Sequence, residues 1–186
     1  RFARFLRDTV LPVARERLPI RAGRESTAVL GYSYGGLAAV AAVVGEPVTF
    51  GRAIAMSPSL WVGEREVLER FERARTLPSR LWIDVGSEEP DREDLIPYMV
   101  SDARNLRDLA LHRGMTFGRD VGYLEAMGEA HDMRAAGRRM REALLFALSE
   151  RDLSRETPDA LTIIRYPARL RRSTFAIEAR YAPGRR

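Results

Sequence analysis

Cysteine is absent from the 186 residues, which removes disulfides, thiolate nucleophiles and cysteine-built zinc sites together. Lysine is absent too: all 31 basic residues are arginine, a bias read here as codon composition rather than as a recognition device. Histidine occurs only as His112 and His131, so no multi-histidine metal site is expected, and any imidazole chemistry falls to one of two residues. No apolar run approaches the roughly 18 to 20 residues of a membrane span, so none is expected. Position 1 is Arg rather than Met, and no signal peptide can be read. The expectation is a chain that begins inside a longer protein, with the cytoplasm as its default compartment.

What is present describes a folded domain. Apolar residues make up 45% and charged residues 31% of a length suited to one domain. The net charge of +5 is unevenly placed. Residues 165–186 hold seven arginines against Glu178, a surplus of six that leaves the first 164 residues one charge negative. A nearly neutral body without interleaved aromatic and basic residues gives no reason to expect nucleic-acid binding. Charge on an exposed edge strand is the simpler account of the tail.

The opening residues place Phe2, Phe5, Leu6, Val10 and Val13 at helical spacing, which predicts a helix with one buried face, bent or restarted at Pro12 and ended by the turn Arg21 to Glu25. Short apolar runs then alternate with helical patterns, the signature of β-α-β units and a mostly parallel sheet. Strands are expected at Thr27 to Tyr32, Arg52 to Met56, Leu81 to Val85 and around Met115 to Leu124, the last interrupted by Gly118 and Gly122. Helices are expected from Tyr34 to Val44, Glu64 to Ala74, Ser101 to Arg113 and His131 to Leu148, with Met133, Ala136, Met140 and Leu144 along one face of the last. Residues 150–159 look like a polar linker, followed by strands at Leu161 to Ile164 and Thr174 to Tyr181 that would form an appended hairpin.

The stretch carrying chemistry is Leu30-Gly31-Tyr32-Ser33-Tyr34-Gly35-Gly36, which contains G-x-S-x-G. Alone the pattern is weak; a strand before it and a helix after it give it meaning. A serine at such a turn is held at a strand tip, and the free N–H groups of the following helix face any developing oxyanion, with the Tyr34 N–H as the first donor. A hydroxyl needs a base, and the base an orienting acid. His131 lies between the last strand of the body and the last helix and is the candidate base, whereas His112 falls inside a helical pattern. The acid should lie in the loop after Leu81 to Val85, where Glu88, Glu89 and Asp91 compete and spacing does not choose among them.

With these residues the chain resembles the "putative esterase" family of α/β-hydrolases, which includes esterase D, enterobactin-type siderophore esterases, feruloyl esterases and mycolyltransferases. The resemblance runs from Arg1 to about Leu148. It rests on the helix with Leu11-Pro12, the run Gly31 to Ala39, the segment Ser57-Pro58-Ser59-Leu60-Trp61, the loop Asp84 to Glu89 and the pair His131-Asp132. It implies Ser33 as nucleophile, His131 as base and Glu89, three residues after Gly86, as acid, with Asp91 the alternative. Met133 stands where many members carry an aromatic residue. Tyr32 and Trp61 are expected to line the substrate pocket, although Trp61 could equally pack under a loop.

Members of the fold carry several strands and an oxyanion loop ahead of the serine strand. The sequence is therefore expected to be the C-terminal part of an α/β-hydrolase fold: a domain over 1–149 lacking its N-terminal strands, then a linker and basic extension over 150–186. The activity implied is hydrolysis of a small-molecule carboxylic ester through an acyl-enzyme, with no cofactor and no metal. The alternatives are acyl transfer by the same residues, or a catalytically impaired module that binds a partner; the oligomeric state is left open.

Overall fold

A computed structural model describes residues 1–92, 95–149, 161–165 and 177–181. Its centre is a sheet of four parallel strands, β1 (Ala28–Tyr32), β2 (Arg52–Met56), β3 (Arg80–Gly86) and β6 (Val121–Ala126), in the order β1-β2-β3-β6. Parallel strands need crossovers, and helices supply them: α3 (Tyr34–Gly45) after β1, α4 (Glu66–Arg73) after β2 and α5 (Met99–His112) before β6. α6 (Met133–Leu148) follows β6. Beyond β6 the backbone of β7 (Leu161–Arg165) adds in parallel, and β8 (Ile177–Tyr181) pairs antiparallel with β7. The expected hairpin strands thus meet, the second starting at Ile177; Thr174 and most of the basic tail lie outside the described residues. Among the described residues no helix is long and apolar enough to cross a membrane.

Strand alternation sorts the core into two layers. Ala53, Ala55, Leu81, Ile83, Val85 and Tyr123 face one side and form a core with residues of α3, α4 and α5. Ile54, Met56, Trp82 and Leu124 face the other, where Ala136, Ala143, Phe146 and Ala147 of α6 cover them. β2, β3 and β6 are buried along their whole length, as central strands of a doubly covered parallel sheet should be. β1 is the edge, with Leu30 exposed, and among the described residues it pairs only with β2. Gly122 does not interrupt β6. A Cβ there would stand 2.8 Å from the Trp82 ring, so glycine is what lets the indole lie across the sheet. Gly118 instead occupies a turn before the strand, with φ 78°.

Two expectations need correction, and one further element was not anticipated. The opening segment is helical, as α1 (Phe2–Phe5), a π-helical turn over Leu6–Val10 and α2 (Leu11–Arg17) with Pro12 in its first turn, but it has no buried face. Phe2, Phe5, Val10 and Val13 are exposed, and Ala3, Leu6 and Leu11 make the contacts with the core. Helical spacing defines a stripe; it does not say what covers it. The inner face of α6 is also rotated from the expected one. Ala135, Ala136, Arg139, Ala143, Phe146 and Ala147 are buried, whereas Met133 and Leu144 are exposed. Finally, a small hairpin, β4 (Asp91–Arg92) and β5 (Leu95–Tyr98), lies between β3 and α5, where the sequence shows no alternation to announce it.

Candidate active site

All the candidate groups come from loops at the carboxyl ends of the four central parallel strands, where ligands meet in such sheets. Ser33 follows β1, Ser57 follows β2, Glu89 follows β3 and His131 follows β6. The ladder extends into these loops: the Ser33 N–H donates to Met56 O (2.9 Å) and the Ser57 N–H to Asp84 O (2.8 Å). Their positions are therefore set by the sheet itself.

Ser33 has φ 59° and ψ −119°, a conformation costly for a side-chain-bearing residue, and α3 starts at the next residue. The turn is this sharp because the backbones nearly touch. A Cβ on Gly31 would lie 2.1 Å from the Gly35 carbonyl oxygen, and one on Gly36 would press on Met56 O and Pro58 at about 3 Å. At Gly35 a Cβ would meet open space, so of the two motif glycines only Gly31 is demanded by a close approach.

The acid and histidine loops are laced together. The Glu88 N–H donates to Glu129 O (3.0 Å), the Ser87 N–H to Ala126 O (3.0 Å) and the Gly128 N–H to Ser87 Oγ (2.8 Å). A Cβ on Gly86 would sit 2.1 Å from Glu129 O, so the approach of the two loops requires glycine there. Asp132 caps α6, accepting from the Arg134 and Ala135 N–H groups at 2.9 Å each, and these bonds hold its carboxyl below the usual range. The cap fixes the backbone beside His131, and the helix begins at Met133 rather than at the histidine.

These constraints bring Ser33, His131 and Glu89 into one line. His131 Nδ1 is 2.8 Å from Glu89 Oε2, and His131 Nε2 is 3.0 Å from Ser33 Oγ. Of the three competing carboxylates, Glu89 is buried against the imidazole and Glu88 is exposed. Asp91 belongs to β4. Asp84 stays in the strand, bound to Trp82 Nε1 (2.8 Å) and Arg139 Nε (2.9 Å), and burial pushes its carboxyl up to about 6. His112 ends α5 on the surface.

The hydrogen-bond network also fixes a tautomer. An ionised Glu89 can only accept, so the proton of the imidazole belongs on Nδ1 and the Nε2 lone pair faces the serine. Ser33 Oγ lies 3.3 Å from Ser59 Oγ as well, and with its own proton directed to Nε2 it accepts from that hydroxyl. Tyr32 stacks on His131 with ring centroids 4.8 Å apart and planes 24° from parallel. Burial, then the Glu89 charge, raises the Tyr32 phenol above its usual range, so it remains neutral. Tyr34 is exposed and tilts against Trp61 at 6.3 Å, and Trp61 in turn packs against the core.

Sequence reasoning did not single out Ser57, Ser59 or Arg139. The two serines lie in a segment quoted only for its resemblance, and nothing local marks Arg139 in a helix that also carries Arg134, Arg138 and Arg141.

A parallel sheet covered by helices on both faces, with its reactive groups on the loops at one edge, has the α/β-hydrolase type of fold. The family model described as "Putative esterase" matches residues 1–121, and the chain belongs to that family. Over 72 residues it is 35% identical to the siderophore enterobactin esterase of Emericella nidulans, a match covering 39% of this chain and 24% of the relative. Among solved structures, the siderophore hydrolase EstB of Aspergillus nidulans is 30% identical with a TM-score of 0.53, covering 77% of this chain and 55% of that one. The enterobactin esterase FES of Shigella flexneri is similar with a TM-score of 0.61 at 24% identity, over 78% of this chain and 38% of that one. Each match takes in less than two thirds of the other protein's length.

Proposed function

We propose that the protein is a serine hydrolase of carboxylic esters that works through an acyl-enzyme. The observation that carries this reading is the unbroken line from Glu89 through His131 to Ser33, at 2.8 and 3.0 Å. Ser33 Oγ attacks the ester carbonyl carbon while His131 Nε2 takes its proton, at a distance suited to general-base transfer. The charge that gathers on the carbonyl oxygen is met by the Tyr34 N–H at the start of α3, one of the helix-terminal donors without an intrahelical acceptor. Collapse of the tetrahedral adduct expels the alkoxide, which leaves as the alcohol with the proton from His131. Water then attacks the acyl-serine, giving up a proton to His131, which returns it to Ser33 Oγ as the bond to the acyl group breaks and the acid is released. Glu89 holds the ring in the required tautomer and stabilises the imidazolium formed in both halves.

The relatives named as siderophore esterases support a small-molecule ester as substrate. Ser33→Ala should lower kcat for a chromogenic ester by about four to six orders of magnitude, the scale lost when such a nucleophile is removed. The same change should abolish labelling by a fluorophosphonate. Undiminished turnover in Ser33→Ala would eliminate the mechanism.

A further inference from the structure

Behind Glu89 lies a buried group of polar side chains to which the chemistry above assigns no part. Arg139, only 1% exposed, reaches through the inner face of α6 and donates to Asp84 Oδ1 (2.9 Å), Glu129 Oε2 (2.6 Å) and Ser57 Oγ (2.7 Å). Its guanidinium also stands 3.7 Å from Glu89 Oε1. Ser57, itself fully buried, lies 2.5 Å from that oxygen. Arginine has donors and no acceptor, so Ser57 Oγ must accept from Arg139, and its one proton is left for Glu89. The hydroxyl therefore has a single orientation.

Glu89 is consequently held from both ends. Oε1 receives the Ser57 hydroxyl and the Gly86 N–H (2.7 Å), while Oε2 faces His131 Nδ1. The two donors on Oε1 fix the plane of the carboxylate. Ser57 meets this geometry at a cost, since its φ of 42° lies in the left-handed region that favours glycine. A serine at a strand tip whose backbone favours glycine, with its hydroxyl spent on the acid, points to selection for the hydroxyl.

We infer that Ser57 and Arg139 are positioning residues for the reaction: Arg139 orients the Ser57 hydroxyl, and Ser57 locks Glu89 so that Oε2 stays on His131. The inference rests on the serine-hydrolase reading and adds two residues to it. Neither touches the substrate or the reacting atoms.

Ser57 is the better probe, because removing Arg139 strips the counter-charge from Asp84 and Glu89 together and leaves Glu129 with Arg138 alone. Ser57→Ala deletes the hydroxyl and keeps the strained backbone; Ser57→Gly deletes it and relieves the strain. Two readouts apply, ester turnover and the far-downfield proton resonance of the His131 Nδ1–H bound to a carboxylate. Both variants should lower kcat at least tenfold with KM within twofold of wild type, and both should shift or broaden that resonance. Ser57→Gly should at the same time melt no lower than Ser57→Ala, so that lost turnover is separated from lost stability. Wild-type kcat with an unmoved resonance in both variants overturns the inference. So does a loss of activity that only follows the fraction unfolded, with the resonance of the folded protein unchanged. Ester hydrolysis surviving in Ser33→Ala would instead sink the serine-hydrolase reading, a result separate from the resonance, which reports the Glu89–His131 bond directly.

Discussion

Two arginine–carboxylate groups sit on opposite faces of the sheet, and although burial raises the acid of each, their net displacements are opposite. In the β3–β6 ladder Asp84 is opposite Leu124 and Val85 is opposite Glu125. Alternation thus sends Asp84 toward α6 and Glu125 toward α5. At Glu125, burial pushes the carboxyl up, but the two bonds from Arg104 (2.9 and 2.6 Å) with that residue's charge and the Tyr123 hydroxyl outweigh it, and the net direction is down. At Asp84 burial wins, and the carboxyl rises to about 6. Arg104 gives both bonds to one acid and is half exposed, at 49%. Arg139 is divided among Asp84, Glu129 and Ser57 and is sealed from water, with the Glu89 charge close by. Arg138 shares Glu129, but Asp84 and Glu89 have only the divided Arg139 for a cation, and at Asp84 this does not repay the desolvation.

The largest effect that would test this contrast is Arg139→Met. It leaves buried carboxylates without their cation and should cost about 3 to 5 kcal/mol, read as a fall in the urea midpoint. A loss no greater than that of Arg104→Met would break the comparison. The acid limb of stability is the next test. The folded Asp84 has a pKa of about 6 against an ordinary 3.8, so its contribution is fully present below pH 4 and is lost as pH rises through 6. Relative to Asp84→Asn, the wild type should lose about 3 kcal/mol between those limits, at 1.36 kcal/mol per unit. Glu125 is displaced the other way, so its contribution is present above its ordinary 4.5 and is lost as the medium becomes more acidic. The difference profile against Glu125→Gln should therefore slope oppositely, and parallel slopes for the two variants would refute the assignment. The smallest effect belongs to Arg104→Met, about 1 kcal/mol or less, with ester turnover unchanged. A larger loss would mean that the half-exposed pair is not the solvated one described here.

Much of the site was legible because its markers are local. G-x-S-x-G between a strand and a helix places Ser33, and His131 lies where a strand gives way to a helix. Spacing alone left Glu88, Glu89 and Asp91 open. Glu89 is set apart by Gly86, which lets the histidine loop close over the acid loop. The inner face of α6 was misread because a periodic pattern sends arginine to solvent. Arg138 obeys that rule at 47% exposure, while its neighbour Arg139 is buried. Only the carboxylates arriving from β3, from the acid loop and from the histidine loop make the inward position tolerable. The opening helix failed for the opposite reason, since its apolar stripe is present but the described core does not cover it.

The order of strands and helices, the serine turn and the candidate base follow from the chain itself, because propensity, glycine placement and hydrophobic period act over a few residues. The choice of acid, the tautomer of His131 and the roles of Ser57 and Arg139 were decided in three dimensions. Each depends on the balance between desolvation and pairing among charges brought together from distant parts of the sequence, and no local pattern carries that balance.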